Sequence, residues 1–113
     1  MKLKTILIRP LLVIVLLAAT AAPAAADPTA ITLAVEEARF VPAEVEVSAD
    51  ARLRLDVTNH TAAAIEFESF ELNRERVVQP GQTVAVYLSG LAPGRYEFFD
   101  DFHRERRGVL VVK

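Results

Sequence analysis

The sequence contains no cysteine and no tryptophan, only four glycines, two histidines and a single methionine, the initiator Met1. Each scarcity closes off a chemistry. Without cysteine there is no disulfide, no thiolate nucleophile and no thiolate metal ligand. Four glycines do not make a phosphate-cradling loop, and no Gly-x-Ser-x-Gly elbow occurs. Neither His60 nor His103 is spaced to pair with a serine as a nucleophile–base couple, so hydrolytic and nucleotide-using enzymes lack support and the chain is read as a non-enzyme. Basic charge is scarce as well. Lys and Arg number 13 against 15 Asp and Glu, and Lys2, Lys4 and Arg9 all fall before residue 26. Residues 27–113 therefore carry about −5, the wrong sign for nucleic acid, whose phosphates demand a basic face.

The one long apolar run, Leu11–Ala19, comes after those three basic residues and precedes Ala24-Ala25-Ala26. Basic, then apolar, then a small-residue cleavage site is the pattern of a secretory signal peptide, here residues 1–26. The apolar run is shorter than the roughly 20 residues that span a bilayer. The reading is therefore an exported, periplasmic protein whose single domain is residues 27–113. With no disulfide available, packing or a metal must hold that small domain together.

Period-2 alternation dominates the domain, and no stretch carries a helical stripe. Ile31–Val35, Glu44–Ser48, Arg52–Thr58, Ile65–Glu68, Arg76–Val78, Thr83–Leu88, Arg95–Phe99 and Gly108–Val112 read as about eight strands. Pro42, Pro80-Gly81 and Pro93-Gly94 punctuate them. Many short strands at regular spacing predict an all-β, two-sheet sandwich with antiparallel or mixed pairing. Ser69–Glu75 reads as a helical turn or a loop, and the mixed charges of Glu71, Arg74, Glu75 and Arg76 as a solvated surface. The aromatics Phe40, Phe67, Phe70, Tyr96, Phe98, Phe99 and Phe102 are expected in the core. His60, at a strand end beside Thr61, is explained by turn chemistry.

The run Phe98-Phe99-Asp100-Asp101-Phe102-His103 is the part most suggestive of chemistry. Carboxylate and imidazole in one tight loop suit a cation such as Fe(III), Cu(II) or Zn(II). The same six residues equally suit a turn with two acids and a solvated histidine.

A longer succession carries a family resemblance: Phe40-Val41-Pro42, Val57-Thr58-Asn59, Ile65-Glu66-Phe67-Glu68-Ser69, Val78-Gln79-Pro80-Gly81-Gln82, Leu91-Ala92-Pro93-Gly94-Arg95-Tyr96-Glu97-Phe98 and Gly108–Val112. It resembles the cupredoxin fold, a Greek-key β-sandwich, and more narrowly the EfeO-type cupredoxin-like domains of exported bacterial iron-uptake proteins. In blue-copper members of that fold a histidine follows the Asn-ended strand, a Cys-x-x-His loop closes the site, and a methionine is axial. The resemblance puts Glu66 at the first histidine, Asp100 at the cysteine and His103 at the second histidine. Arg106 or Arg107 lies in the region of the methionine. Type 1 blue copper depends on the thiolate and is excluded. Carboxylates in its place imply a harder site for Cu(II) or Fe(III), with Glu66, Asp100 and His103 as ligands and Asp101 and Glu68 as further candidates. Glu68 shares a strand face with Glu66, opposite Ile65 and Phe67. The implied setting is periplasmic iron or copper handling beside a membrane iron permease or another uptake protein. The alternative is a metal-free cupredoxin fold serving as a structural or protein-interaction module.

Overall fold

The computed structural model describes residues 1–22 and 27–113, so the expected cleavage site Ala24-Ala25-Ala26 lies outside the described residues. Among the described residues no helix is long and apolar enough to cross a membrane. Nine strands form among the described residues: β1 (Thr29–Val35), β2 (Phe40–Val41), β3 (Glu44–Val47), β4 (Leu53–Asn59), β5 (Ile65–Ser69), β6 (Arg74–Val78), β7 (Thr83–Leu88), β8 (Gly94–Asp100) and β9 (His103–Val112). One sheet has the order β2-β1-β4-β7 and the other β3-β9-β8-β5-β6. Both are mixed, because β1 runs parallel to β4 and β3 parallel to β9 while their other pairings are antiparallel.

Alternation builds the interior. Leu53, Leu55, Val57 and Asn59 of β4 are buried while Arg54, Asp56 and Thr58 face outward. In β5 the buried set is Ile65, Phe67 and Ser69. Between the sheets Phe40, Phe67 and Phe98 meet, with ring centroids 5.0 Å apart for Phe40–Phe98 and 5.4 Å for Phe67–Phe98. The Phe40 ring stands edge-on to both partners, a favoured aromatic geometry.

The two-sheet sandwich agrees with the alternation, and four details differ. The ninth strand is Phe40–Val41, paired with the end of β1 and too short to show any period. Residues Ser69–Glu75 are neither helix nor plain loop. Strand β5 ends at Ser69, a turn spans residues 70–73, and β6 begins at Arg74. Asn73 takes the left-handed conformation there (φ 53°), which asparagine tolerates better than most residues. Strand β9 starts at His103 rather than Gly108, so only Asp101 and Phe102 separate it from β8. Finally, Phe70 and Phe102 are exposed, at 69% and 51%, instead of joining the core. Both sit in turns, where no inward strand face exists to bury them.

Asn59 organises the connection into β5. Its side chain is fully buried and fully partnered. Nδ2 donates to the carbonyls of Ala63 (2.8 Å) and Val78 (2.9 Å), while Oδ1 accepts from Thr61 N and Thr61 Oγ1, both at 2.8 Å. A satisfied buried amide of this kind holds a loop in one shape.

Gly108 is needed for close packing. A Cβ there would run into the Phe98 ring and come within 2.9 Å of the Ala43 carbonyl. Because Phe98 is locked between Phe40 and Phe67, Gly108→Ala is expected to destabilise the domain by about 1–3 kcal/mol, as overpacking does. Chemical denaturation of the variant measures this, and an unchanged midpoint would contradict the packing account.

Candidate functional site

The hairpin β8–β9 and the neighbouring strand β5 bring the candidate residues to one end of the sandwich. Alternation then divides them. Asp100 pairs with Phe67 and faces inward, with no exposed surface. Its Oδ1 accepts from the backbone N–H groups of Glu66 and Phe102, each at 3.0 Å. Its Oδ2 accepts from Arg106 Nη1 at 3.0 Å, and His103 Nδ1 stands 3.6 Å from the same oxygen. Arg106 is 5% exposed and also donates from Nε to the Glu37 carbonyl at 2.9 Å. What residue 66 offers Asp100 is thus its main chain, while its carboxylate points away.

That carboxylate belongs to a second group on the outer face of the sheet. Glu66 and Glu68, two residues apart on β5, project outward, and Asp101 joins them from the hairpin turn. One carboxylate oxygen from each of the three lies within 4.8 Å of the others. The turn is fixed there by Asp101 N donating to Glu66 O at 2.8 Å. Glu75 stands opposite Glu68 on β6. Arg104 partly balances the charge, with Nη2 2.7 Å from Asp101 Oδ1. Glu66 is pushed up to about 7, chiefly by a hydrogen bond with the Glu75 carboxyl, then by burial and by repulsion from Glu75, Asp101 and Glu68. The shared hydrogen bond first, and the crowding of like charges after it, favour the protonated form of Glu66.

The remaining charged residues serve other ends. Arg74 donates to the Tyr87 carbonyl at 3.2 Å and Arg76 to the Ala85 carbonyl at 3.0 Å, so both lace β6 to β7 across the gap between sheets. They are stitches between edges rather than a purely solvated surface. His60 lies apart, its Nδ1 2.8 Å from Glu36 Oε1. Phe99 faces outward yet is covered, with the Phe70 ring at 5.3 Å and the guanidinium groups of Arg104 and Arg107 at 5.4 and 5.1 Å. Arg106 is the residue whose role spacing left undecided against Arg107. The signal was present: Leu110 and Val112 face inward, and extending that period back through Gly108 puts 106 inward and 107 outward.

The class of protein so defined is a two-sheet mixed β-sandwich with an acid and a histidine three residues apart where two adjacent strands of one sheet turn. The chain belongs to the cupredoxin-like domain family, which it matches over residues 8–112. It is 36% identical over 83 residues to an uncharacterized protein of Rickettsia prowazekii (strain Madrid E), covering 73% of this chain and 66% of that protein, just under two thirds of the relative's length. Among solved structures it is similar to the metal-binding domain of the Cu(I)-exporting P-type ATPase CopA of Streptococcus pneumoniae, determined with Cu(I). That match has a TM-score of 0.68 at 15% identity, covering 74% of this chain and 84% of the other. It is also similar to auracyanin A, a blue copper protein of Chloroflexus aurantiacus, with a TM-score of 0.65 at 17% identity over 77% of this chain and all (100%) of that one. At such identities the likeness is one of fold.

The residues at the inner end do not fit a type 1 copper ion. The chain has no thiolate. Both Asp100 oxygens are engaged, and one of their partners is itself a cation. Replacing one half of a buried ion pair leaves the other charge uncompensated. Asp100→Asn is therefore expected to cost about 3 kcal/mol, and Asp100→Asn with Arg106→Met to recover much of that loss. A double-mutant cycle by urea denaturation checks this, and additive effects would contradict the coupling.

The Glu66 shift has a direction in stability as well. Between its ordinary 4.5 and about 7, the folded state keeps a proton that the unfolded chain has released. Stability contributed by that proton is present below the unfolded value and lost as pH rises through the folded one. Glu66→Gln should flatten this decline, and its thermal midpoint should exceed that of the wild type above pH 7. Melting curves from pH 4 to 8 test the expectation, and parallel declines in both proteins would refute it.

Proposed function

We propose that the protein binds a hard transition-metal cation, Fe(III) or Cu(II), through the outward carboxylates Glu66, Glu68 and Asp101, and serves periplasmic metal uptake as a non-enzymatic accessory. The observation that carries this reading is the convergence of three carboxylate oxygens within 4.8 Å, in a cupredoxin-like domain. Oxygen donors of this kind favour hard ions over Cu(I). The lead of basic, apolar and small residues before Asp27 supports export, and the resemblance to EfeO-type domains supports a permease as partner. Copper in structural neighbours such as the CopA domain supports a metal as the ligand class.

Three protein carboxylates leave positions for water or for a partner's donor group. A bound cation must also displace the proton that Glu66 holds near neutrality, so binding strengthens as pH rises through about 7. Calorimetric titration with Cu(II), Fe(III) and Zn(II) at pH 6 and 8 tests the reading. Saturable binding that is tighter at pH 8, raises the thermal midpoint and disappears in Glu66→Gln/Glu68→Gln/Asp101→Asn is the expected result. Binding untouched by that triple change would sink it.

One observation favours the metal-free module instead: the buried Asp100–Arg106 pair already fills the inner end of the fold. An absence of saturable binding by any of the three ions would decide for it.

A further inference from the structure

The inner end holds an acid–imidazole pair of its own, Asp100 and His103, separate from the outward cluster, with the exposed Glu37 carboxylate on the far side of Arg106's reach. Arg106 touches or nears Asp100 Oδ2 at 3.0 Å and Glu37 Oε2 at 3.7 Å, and His103 Nδ1 stands 3.6 Å from that same Asp100 oxygen. Two carboxylates and an imidazole are a common donor set for Zn(II) or Cu(II). We propose that Arg106 is the residue that decides what this end of the fold accepts: its guanidinium is a built-in cation, seated among Asp100, Glu37 and His103, that keeps metal ions out.

A depression of about 100 Å³, lined by Glu37, Thr61, Ala62, Ala63, His103 and Arg106, brings solvent to His103 and to the guanidinium, and Asp100, with no exposed surface, is not part of its lining. The obstacle is the occupant. Asp100 Oδ1 is taken by two backbone N–H groups, so Oδ2 is the oxygen left to meet an incoming ion, and the guanidinium holds it. Arg106 cannot yield by losing a proton, because guanidinium stays charged in proteins. Nor can it swing away cheaply. Its Nε is anchored on the Glu37 carbonyl, and departure would leave Asp100 buried without a counter-charge.

The test separates this end from the outward cluster by working in the Glu66→Gln/Glu68→Gln/Asp101→Asn background. That protein is expected to show no His103-dependent binding of Zn(II) or Cu(II). Adding Arg106→Met should create 1:1 binding, tighter by about 100-fold or more once the like charge is removed. The new site should raise the thermal midpoint with Zn(II), show nitrogen coupling in the Cu(II) spin-resonance spectrum, and vanish on His103→Ala. Arg106→Gln, which keeps a donor for Asp100, carries the same test if the methionine variant does not fold unaided. The proposal is overturned if the background protein already binds through His103, or if the folded Met and Gln variants gain nothing. It is equally overturned if neither variant folds even with Zn(II) present, since an ion held by the same three groups must stand in for the guanidinium.

Discussion

The ion pair between Asp100 and Arg106 is the constraint around which this end of the molecule is arranged. A carboxylate with no exposed surface is costly unless its charge and its lone pairs are met. Arg106 meets the charge, and the N–H groups of Glu66 and Phe102 meet the other oxygen. Those partners tie together β5, the β8–β9 turn and the inward face of β9, and through Glu37 the segment after β1. The pair thus does in a cysteine-free domain what a disulfide or a structural metal does in other small domains: it joins separate strands at one point.

Because Asp100 is drawn inward, its sequence neighbour Asp101 is left at the turn, facing the outer side. There Glu66 and Glu68 wait on the outward face of β5, with Glu75 across the ladder. One stretch of sequence therefore feeds two electrostatic environments of opposite character. The inner one is neutralised by an internal cation. The outer one is only partly balanced by Arg104, which bridges to Asp101, and there the hydrogen bond with Glu75, then burial and the neighbouring acids, push Glu66 up to about 7.

Much of the fold was legible. The valines and leucines of β3, β4 and β7 announce their buried faces by alternation, and Pro-Gly pairs mark the ends of strands. What alternation missed had no period to show: the two residues of β2 and the turn at residues 70–73. The polar start of β9, His103–Arg107, hid its strand character because its one inward side chain there is an arginine. The exposure of Phe70 and Phe102 follows from turn position, which overrides the general tendency of aromatics to be buried.

The candidate ligands were legible as types and partly as places. Residue order alone determined that no thiolate exists, that the domain is acidic, that Glu66 and Glu68 share a face, and that a cupredoxin-like sandwich is the fold. Only the tertiary structure decided the company each acid keeps. Whether Asp100 meets an ion or a guanidinium depends on which way β9 turns Arg106. Whether Asp101 joins Asp100 or Glu66 depends on which side of a two-residue turn it falls. Both are matters of register between strands distant in sequence, where a shift of one residue exchanges inside for outside.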